Sequence, residues 1–245
     1  MSDSASTGAP GGYGPTPPPI VAPPPVVPAA RDLSQGPAGP IETLDPWISI
    51  WSRPRATLRH ILDTDPRRGV FRLAALSGIA DFLTVATQPG FGDTYPISVV
   101  VPVAVAGGAV GGVIGILIFT ALICLTGRWL GGRGGMAEVM AALAWGSVPT
   151  VCSLVLWLPR AALLGEETFH PLPASVEGNP PTALLFAVLQ GIQVIMAVWG
   201  FAISLKCIGE AHGFSAWRAL GALALSALVL SLPLVLIAIL GQALS

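Results

Sequence analysis

Asp81 is the only ionisable residue that falls deep within one of the long apolar segments of this sequence. It lies about ten residues into the first segment, or ~15 Å along a helix with a rise of ~1.5 Å per residue. A carboxylate at that depth in a bilayer is costly unless it is protonated, paired or hydrated. Gln190 and Gln193 lie at comparable depth in another segment. We expect their amides to donate hydrogen bonds to Asp81, so the three residues form a candidate intramembrane polar site.

Two roles for this site stay open. In the first, a neutral Asp81 joins two helices through hydrogen bonds. In the second, Asp81 is the proton- or ion-sensitive group of a transporter or channel subunit, which would require a second deep carboxylate, a histidine or a helix broken around a cavity. The sequence shows none of these, and the predicted topology places no basic residue at the depth of Asp81. The helix-joining role is therefore favoured.

Signatures of catalysis are absent from the sequence. It contains no HExxH, no GxSxG and no GxxxxGK[ST]. The three cysteines, Cys124, Cys152 and Cys207, show neither CxxC nor metal-ligand spacing. We expect a non-enzymatic protein with no catalytic residue, no cofactor and no metal. The basic residues form no nucleic-acid footprint, so no nucleic-acid partner is expected.

The elements that must position these residues are predicted transmembrane helices. Hydrophobic residues make up 53% of the chain and charged residues 10%, which indicates an integral membrane protein. Because a helix satisfies its own backbone hydrogen bonds in lipid, we expect an all-α fold with five spans. The spans are predicted at about 70–87, 97–126, 137–158, 182–205 and 217–244, with kinks at Pro102, Pro149 and Pro233.

The basic residues predict the orientation of the chain. Every Lys and Arg except Arg160 precedes the first span, lies in its opening turn, or lies at the turns that join spans two to three and four to five. Since positive charge collects on the cytoplasmic side, the N-terminus is predicted inside and the C-terminus outside. We expect a multi-pass protein of the cell membrane, with its longest outer loop at 159–181.

The region before the first span has two parts. Residues 1–45 are rich in Pro and Gly and predict a disordered cytoplasmic tail, which leaves residues 46–245 as the membrane domain. A partner-docking role for the prolines, in a signalling anchor, is an open alternative.

The segment that follows the tail predicts an amphipathic helix that starts near Arg53. Its apolar face and its basic residues are separated on a helical projection, with Trp47, Trp51, Leu58, Ile61 and Leu62 on one side and Arg53, Arg55 and Arg59 off it. A helix of this kind lies in the headgroup layer of a membrane. Both a topogenic anchor and a lipid-sensing element fit the pattern, and the anchor is favoured.

Glycines recur in the second span. Gly107, Gly111 and Gly115 follow each other at four-residue spacing, with Gly108 and Gly112 beside them. Small residues at this spacing let two helices approach closely. Packing within one chain is the favoured interpretation, and homo-oligomerisation is the alternative.

Three stretches of this sequence resemble a known family. They are WISIWSRPR at 47–55, GRWLGGRG at 127–134 and GEAHGFSAWRA at 209–219. On these stretches the chain is identified as a bacterial member of the Yip-domain family of five-span membrane proteins, over roughly residues 46–240. The eukaryotic relatives of that family bind prenylated Rab-type GTPases and act in membrane trafficking, so the resemblance implies a trafficking-related role.

The favoured hypothesis is a membrane adaptor or organising protein that acts through its cytoplasmic face. The face would consist of the amphipathic helix and the two turns at 127–136 and 206–217, and it would hold a protein partner or anionic lipid headgroups. Each basic residue near a membrane surface adds ~1 kcal/mol of attraction to anionic lipid. A topogenic role alone is the alternative. The candidate surface residues are Arg128, Arg133, Glu138, Lys206, Glu210, His212 and Arg218.

Overall fold

The computed structural model of the protein describes residues 45–89, 94–171 and 173–244. Within them the secondary structure is helical, with no strand, which confirms the predicted all-α class. The predicted disordered tail lies outside the described residues except for Asp45. The α-helices are α1 (Pro46–Ser49), α2 (Pro54–Thr64), α3 (Val70–Ala86), α4 (Ile97–Trp129), α5 (Met136–Gly146), α6 (Val148–Ser153), α7 (Trp157–Leu164), α8 (Pro180–His212) and α9 (Ala216–Leu244).

In the described part of the chain, four helical stretches are long and apolar enough to cross a membrane. They are Ile97–Trp129, Met136–Phe169, Pro180–His212 and Ala216–Pro233. Helix α3 has 17 residues, which at ~1.5 Å per residue is ~25 Å and shorter than a hydrocarbon core of ~30 Å. The protein is therefore a multi-pass helical membrane protein, and the fifth span and the orientation stay predictions.

The second of these stretches, Met136–Phe169, is a broken helix. Helix α5 ends at Gly146, Ser147 lies between, and α6 begins with Val148 and has Pro149 in its first turn. A 3-10 segment and α7 then continue the helical path to Leu164, past the predicted end of this span. At the break the Gly146 carbonyl accepts a hydrogen bond from Ser204 Oγ at 3.2 Å. Such serine contacts make a helix break tolerable in a membrane.

Helices α8 and α9 are joined by a three-residue turn. Asn179 caps the start of α8, where its side chain accepts from the Thr182 N–H. At the other end Gly213 takes a left-handed conformation with φ 71°, which a glycine adopts without a steric cost. Helix α8 runs to His212, well beyond the predicted span end at 205. Because of this extension, residues 206–212 are helical, and the end of α8 lies beside the turn at 127–135.

The closest helix packing joins α3 to α4. A Cβ atom on Gly108 would lie 2.8 Å from the Gly78 carbonyl oxygen, and one on Gly112 would collide with the Ala74 carbonyl. In contrast, no atom lies within 4 Å of a Cβ placed on Gly111, nor of one placed on Gly115. Gly108 and Gly112 therefore provide the close approach within the chain.

The other three glycines of the pattern, Gly107, Gly111 and Gly115, line an open groove beside the helix pair. Packing within the chain therefore uses Gly108 and Gly112, and the three groove glycines are the ones that a second copy of the chain could contact. Homo-oligomerisation through the open set stays a prediction.

The buried side chains form two clusters. The larger cluster joins α2, α5 and α9 to the C-terminal ends of α4 and α8. It includes Ile50, Leu58, Ile123, Trp145 and Ile208. The smaller one lies near the start of α4 and includes Leu83, Val100, Trp157 and Phe169. Large apolar side chains on the outer faces of α4 and α8 are exposed, as expected for helices that meet lipid.

We expect Gly112→Ala to lower the free energy of unfolding by about 1–3 kcal/mol, because the new methyl group meets backbone rather than a movable side chain. The matched variant Gly111→Ala should be neutral or stabilising by roughly 0.5–1 kcal/mol, since alanine is the better helix former. Equilibrium unfolding in mixed detergent micelles measures both. Equal losses in the two variants would contradict this packing.

Candidate functional site

His212, the last residue of α8, lies between the glycine-rich turn at 127–135 and the turn at 213–215. Its ring packs against backbone, because a Cβ atom on Gly127, Gly132 or Gly134 would lie 2.5–2.9 Å from an imidazole atom. The side chain is 2% exposed. We call the end of the bundle formed by α2, the 127–135 turn and the 213–215 turn the basic end. His212 is at the centre of that end.

Hydrogen bonds fix the 127–135 turn to the end of α8. The Gly134 N–H donates to His212 Nδ1 at 3.2 Å, and the Arg133 N–H donates to the His212 carbonyl at 3.2 Å. A neutral histidine that accepts at Nδ1 carries its proton on Nε2. The ring also stacks on Phe214, with centroids 5.0 Å apart. The two turns are therefore joined through one side chain.

The amphipathic helix α2 is held to the same place by ionic contacts. Arg55 Nη2 donates to the Phe214 carbonyl at 3.3 Å and its Nη1 lies 3.5 Å from Glu210 Oε2. Arg59 donates from Nε to Glu210 Oε1 at 2.8 Å, and its Nη2 contacts the same oxygen. The hydrogen bond with Glu210, and then its charge, raise the pKa of the Arg59 guanidinium. One carboxylate thus binds two arginines of α2.

The apolar face of α2 is covered by protein. Leu58 is fully buried and Ile61 is 3% exposed, and both belong to the cluster formed with α5 and α8. Before α2, the Trp199 indole N–H donates to the Trp51 carbonyl at 3.2 Å, and Trp47 packs edge-on against Trp145. The face that the sequence assigns to the headgroup layer is thus a protein contact in this fold.

Of the predicted surface residues, five are exposed: Arg128, Arg133, Glu138, Lys206 and Arg218. The Glu138 carboxylate also accepts from the Gly135 N–H at 2.8 Å, which caps the start of α5. The predicted surface residue His212 is buried, because its ring fills the space between the turns. Glu210 is half-buried, and its carboxylate contacts the two arginines of α2, Arg55 and Arg59, instead of facing solvent.

The predicted intramembrane residues do share one cavity. Asp81, Gln190 and Gln193 line a space of about 260 Å³ together with Arg160. The expected hydrogen bonds from the two glutamines to Asp81 are absent from the described contacts. Instead Gln190 Oε1 accepts from Arg160 Nη1 at 2.9 Å. The Asp81 carboxylate faces open space and also lines the glycine groove.

Two features of this cavity are missing from the sequence-based description. The broken stretch Met136–Phe169 forms one wall with Thr150, Ser153 and Trp157, a helix break at a cavity that the sequence shows only as the kink predicted at Pro149. Arg160 was expected in an outer loop after Pro159, but α7 continues through that proline and buries the side chain. The signal in the sequence is the spacing of Trp157 and Arg160, which places both on one face of a helix.

Among the described residues no group of three or more His, Cys, Asp and Glu could hold a metal ion. The three cysteines are free thiols. The chemistry that the described residues offer is recognition by charge and hydrogen bonding, at the basic end and in the cavity.

The fold and these two places define a polytopic helical membrane protein with a structured basic end. The family model of the Yip1 domain matches residues 48–239. The chain therefore belongs to the Yip1 domain family, which is linked to membrane trafficking. No curated protein and no solved structure matches the chain. The stretches at 127–134 and 209–219, which suggested the family, are the ones that contact each other around His212.

We expect Glu210→Gln to loosen α2, because an amide cannot compensate the two guanidinium charges. Hydrogen–deuterium exchange of residues 54–64 should rise, roughly up to fivefold, the size of a partly exposed ion-pair effect. Glu138→Gln is the matched control, since Glu138 caps α5 and forms no ion pair with α2 among the described residues. An exchange pattern of α2 that is the same in both variants would show that Glu210 does not hold this helix.

Proposed function

We propose that this Yip1-family protein is a non-enzymatic membrane adaptor whose basic end binds a partner on the cytoplasmic side. The observation that carries the proposal is the joining of three separate segments into one end surface. Helix α2 is bound through Arg55 and Glu210, and the two turns are bound through His212. A membrane anchor that only set topology would require none of these contacts.

The charge of the basic end fits an anionic partner surface. Arg128, Arg133, Lys206 and Arg218 are exposed, whereas the acidic Glu210 is neutralised internally by α2. The four exposed cations would together add several kcal/mol of attraction to an acidic protein face or to anionic lipid, at ~1 kcal/mol each. The positive-inside distribution supports a cytoplasmic location for this end.

Site-specific photocrosslinking in intact membranes tests the adaptor function. A photoreactive residue at Arg133 or at Lys206 should capture a defined protein, and one at the exposed Glu177, beside the opposite end of α8, should not. Capture at Lys206 should fall when Arg128, Arg133 and Arg218 are changed to glutamine together, while the number of spans inserted stays the same. If the neutral variant retains its captured protein, or if capture is equal at Glu177, the basic end is not the partner site.

A second candidate function is a transporter or channel subunit, and the broken helix around the Asp81 cavity favours it. Broken helices at transporter sites supply unpaired backbone groups and polar side chains to a bound ion. In this cavity Thr150 and Ser153 follow the break directly. The observation supports a polar ligand in the cavity.

Proton flux into proteoliposomes separates the two functions. Under the adaptor proposal, wild-type protein and Asp81→Asn should give the same flux as empty liposomes, and partner capture should survive the substitution. A wild-type flux that disappears in Asp81→Asn, with normal assembly of the variant, would favour the transporter.

A further inference from the structure

Arg160 is a buried cation at the edge of the membrane domain. It is 5% exposed, although it follows directly after the third apolar segment. Its Nε donates to the Thr168 carbonyl at 3.0 Å and its Nη1 to Gln190 Oε1 at 2.9 Å. The guanidinium carbon lies 5.3 Å from the ring centroid of Trp157 and 5.1 Å from that of Phe186. The side chain is therefore held in one position by four neighbours.

These neighbours leave the charge of Arg160 without a counter-ion. An arginine has five N–H donors, and the described contacts use two of them. No described carboxylate lies within ion-pair distance of the guanidinium. Burying a charge without a counter-ion is costly, and a phosphate fits the planar donor fork of arginine in a bidentate way. The position therefore suits an anionic group supplied by a ligand.

The walls of the cavity also offer hydrogen-bonding groups and an apolar surface. Thr84, Thr87, Thr150 and Ser153 bring hydroxyl groups, and Asp81 brings a carboxylate that makes no hydrogen bond among the described residues. Val194 and Ala197 form an apolar wall on α8, and both are exposed on its outer face. A ligand that fits carries an anion, a hydrogen-bonding cation and a hydrocarbon part. A phospholipid has this combination when its headgroup contains a primary amine.

The height of Arg160 in the membrane agrees with that ligand. Twenty residues of α8 counted back from the exposed Lys206 reach Phe186, and ~20 residues span a hydrocarbon core of ~30 Å. Phe186 contacts Arg160, so the guanidinium lies near the second membrane interface, where lipid phosphates are. With ~30 Å³ per water-sized group, a cavity of about 260 Å³ has room for a phosphoethanolamine group.

The geometry points to a binding site for a phosphatidylethanolamine-type lipid at the end of the bundle opposite the basic end. Arg160 binds the phosphate, Asp81 accepts hydrogen bonds from the ammonium group, and the acyl chains lie along the exposed face of α8. The site is independent of the adaptor function and does not require that anything is transported.

Native mass spectrometry of the detergent-purified protein, with equal amounts of phosphatidylethanolamine and phosphatidylcholine, tests the site. The wild type should prefer the ethanolamine lipid by about tenfold, the size of one charge-assisted hydrogen bond, because choline has no N–H to donate. Asp81→Asn should remove this preference, and Arg160→Gln should weaken the binding of both lipids. Arg67→Gln, which changes an exposed arginine between α2 and α3 that does not line the cavity and is outside the basic end's cation set, should bind as the wild type does.

Asp81→Asn keeps the test decisive if Arg160→Gln fails to fold, because the Asp81 carboxylate makes no described hydrogen bond that the fold would lose. Equal binding of the two lipids by the wild type, or an ethanolamine preference that survives Asp81→Asn, would overturn the assignment. Competition with water-soluble phosphoethanolamine shows whether the site binds a lipid or a free headgroup. The soluble compound should displace the lipid only weakly, and full displacement at equal concentration would overturn the lipid as the ligand.

Discussion

The contact between His212 and the glycines of the 127–135 turn is the constraint on which the basic end depends. The imidazole occupies space that a side chain at Gly127, Gly132 or Gly134 would need, and its Nδ1 accepts from the backbone of the same turn. Because the ring also stacks on Phe214, whose carbonyl accepts from Arg55, the contact continues to α2. Three segments that are distant in sequence are thereby fixed at one end of the bundle.

Close packing of α3 and α4 organises the rest of the bundle. Gly78 meets Gly108 and Gly112 so closely that neither helix can carry a side chain there. Asp81, one turn beyond Gly78, lines both the glycine groove and the Arg160 cavity. Helix α3 therefore takes part both in the close glycine contact and in the wall of the polar cavity.

Hydropathy and glycine spacing predict much of this structure, but they do not predict the direction in which individual side chains point. Long apolar runs indicate where helices lie, because a backbone in lipid must form its hydrogen bonds within its own helix. They do not show whether a polar residue at a helix end turns inward. In the sequence, His212 and Glu210 belong to a predicted surface turn, yet the extension of α8 places both against other segments. Arg160 is hidden for the same reason, because α7 continues through Pro159.

A distance measurement tests most directly whether α2 and the two turns form one rigid surface. Spin labels at the exposed positions Ala56 and Ser215, in a variant whose three native cysteines are alanine, report the separation of α2 from the 213–215 turn. The structure predicts one narrow distance distribution that is the same in detergent and in lipid nanodiscs. A broad distribution, or one that changes with the lipid, would show instead that α2 is a free interfacial helix.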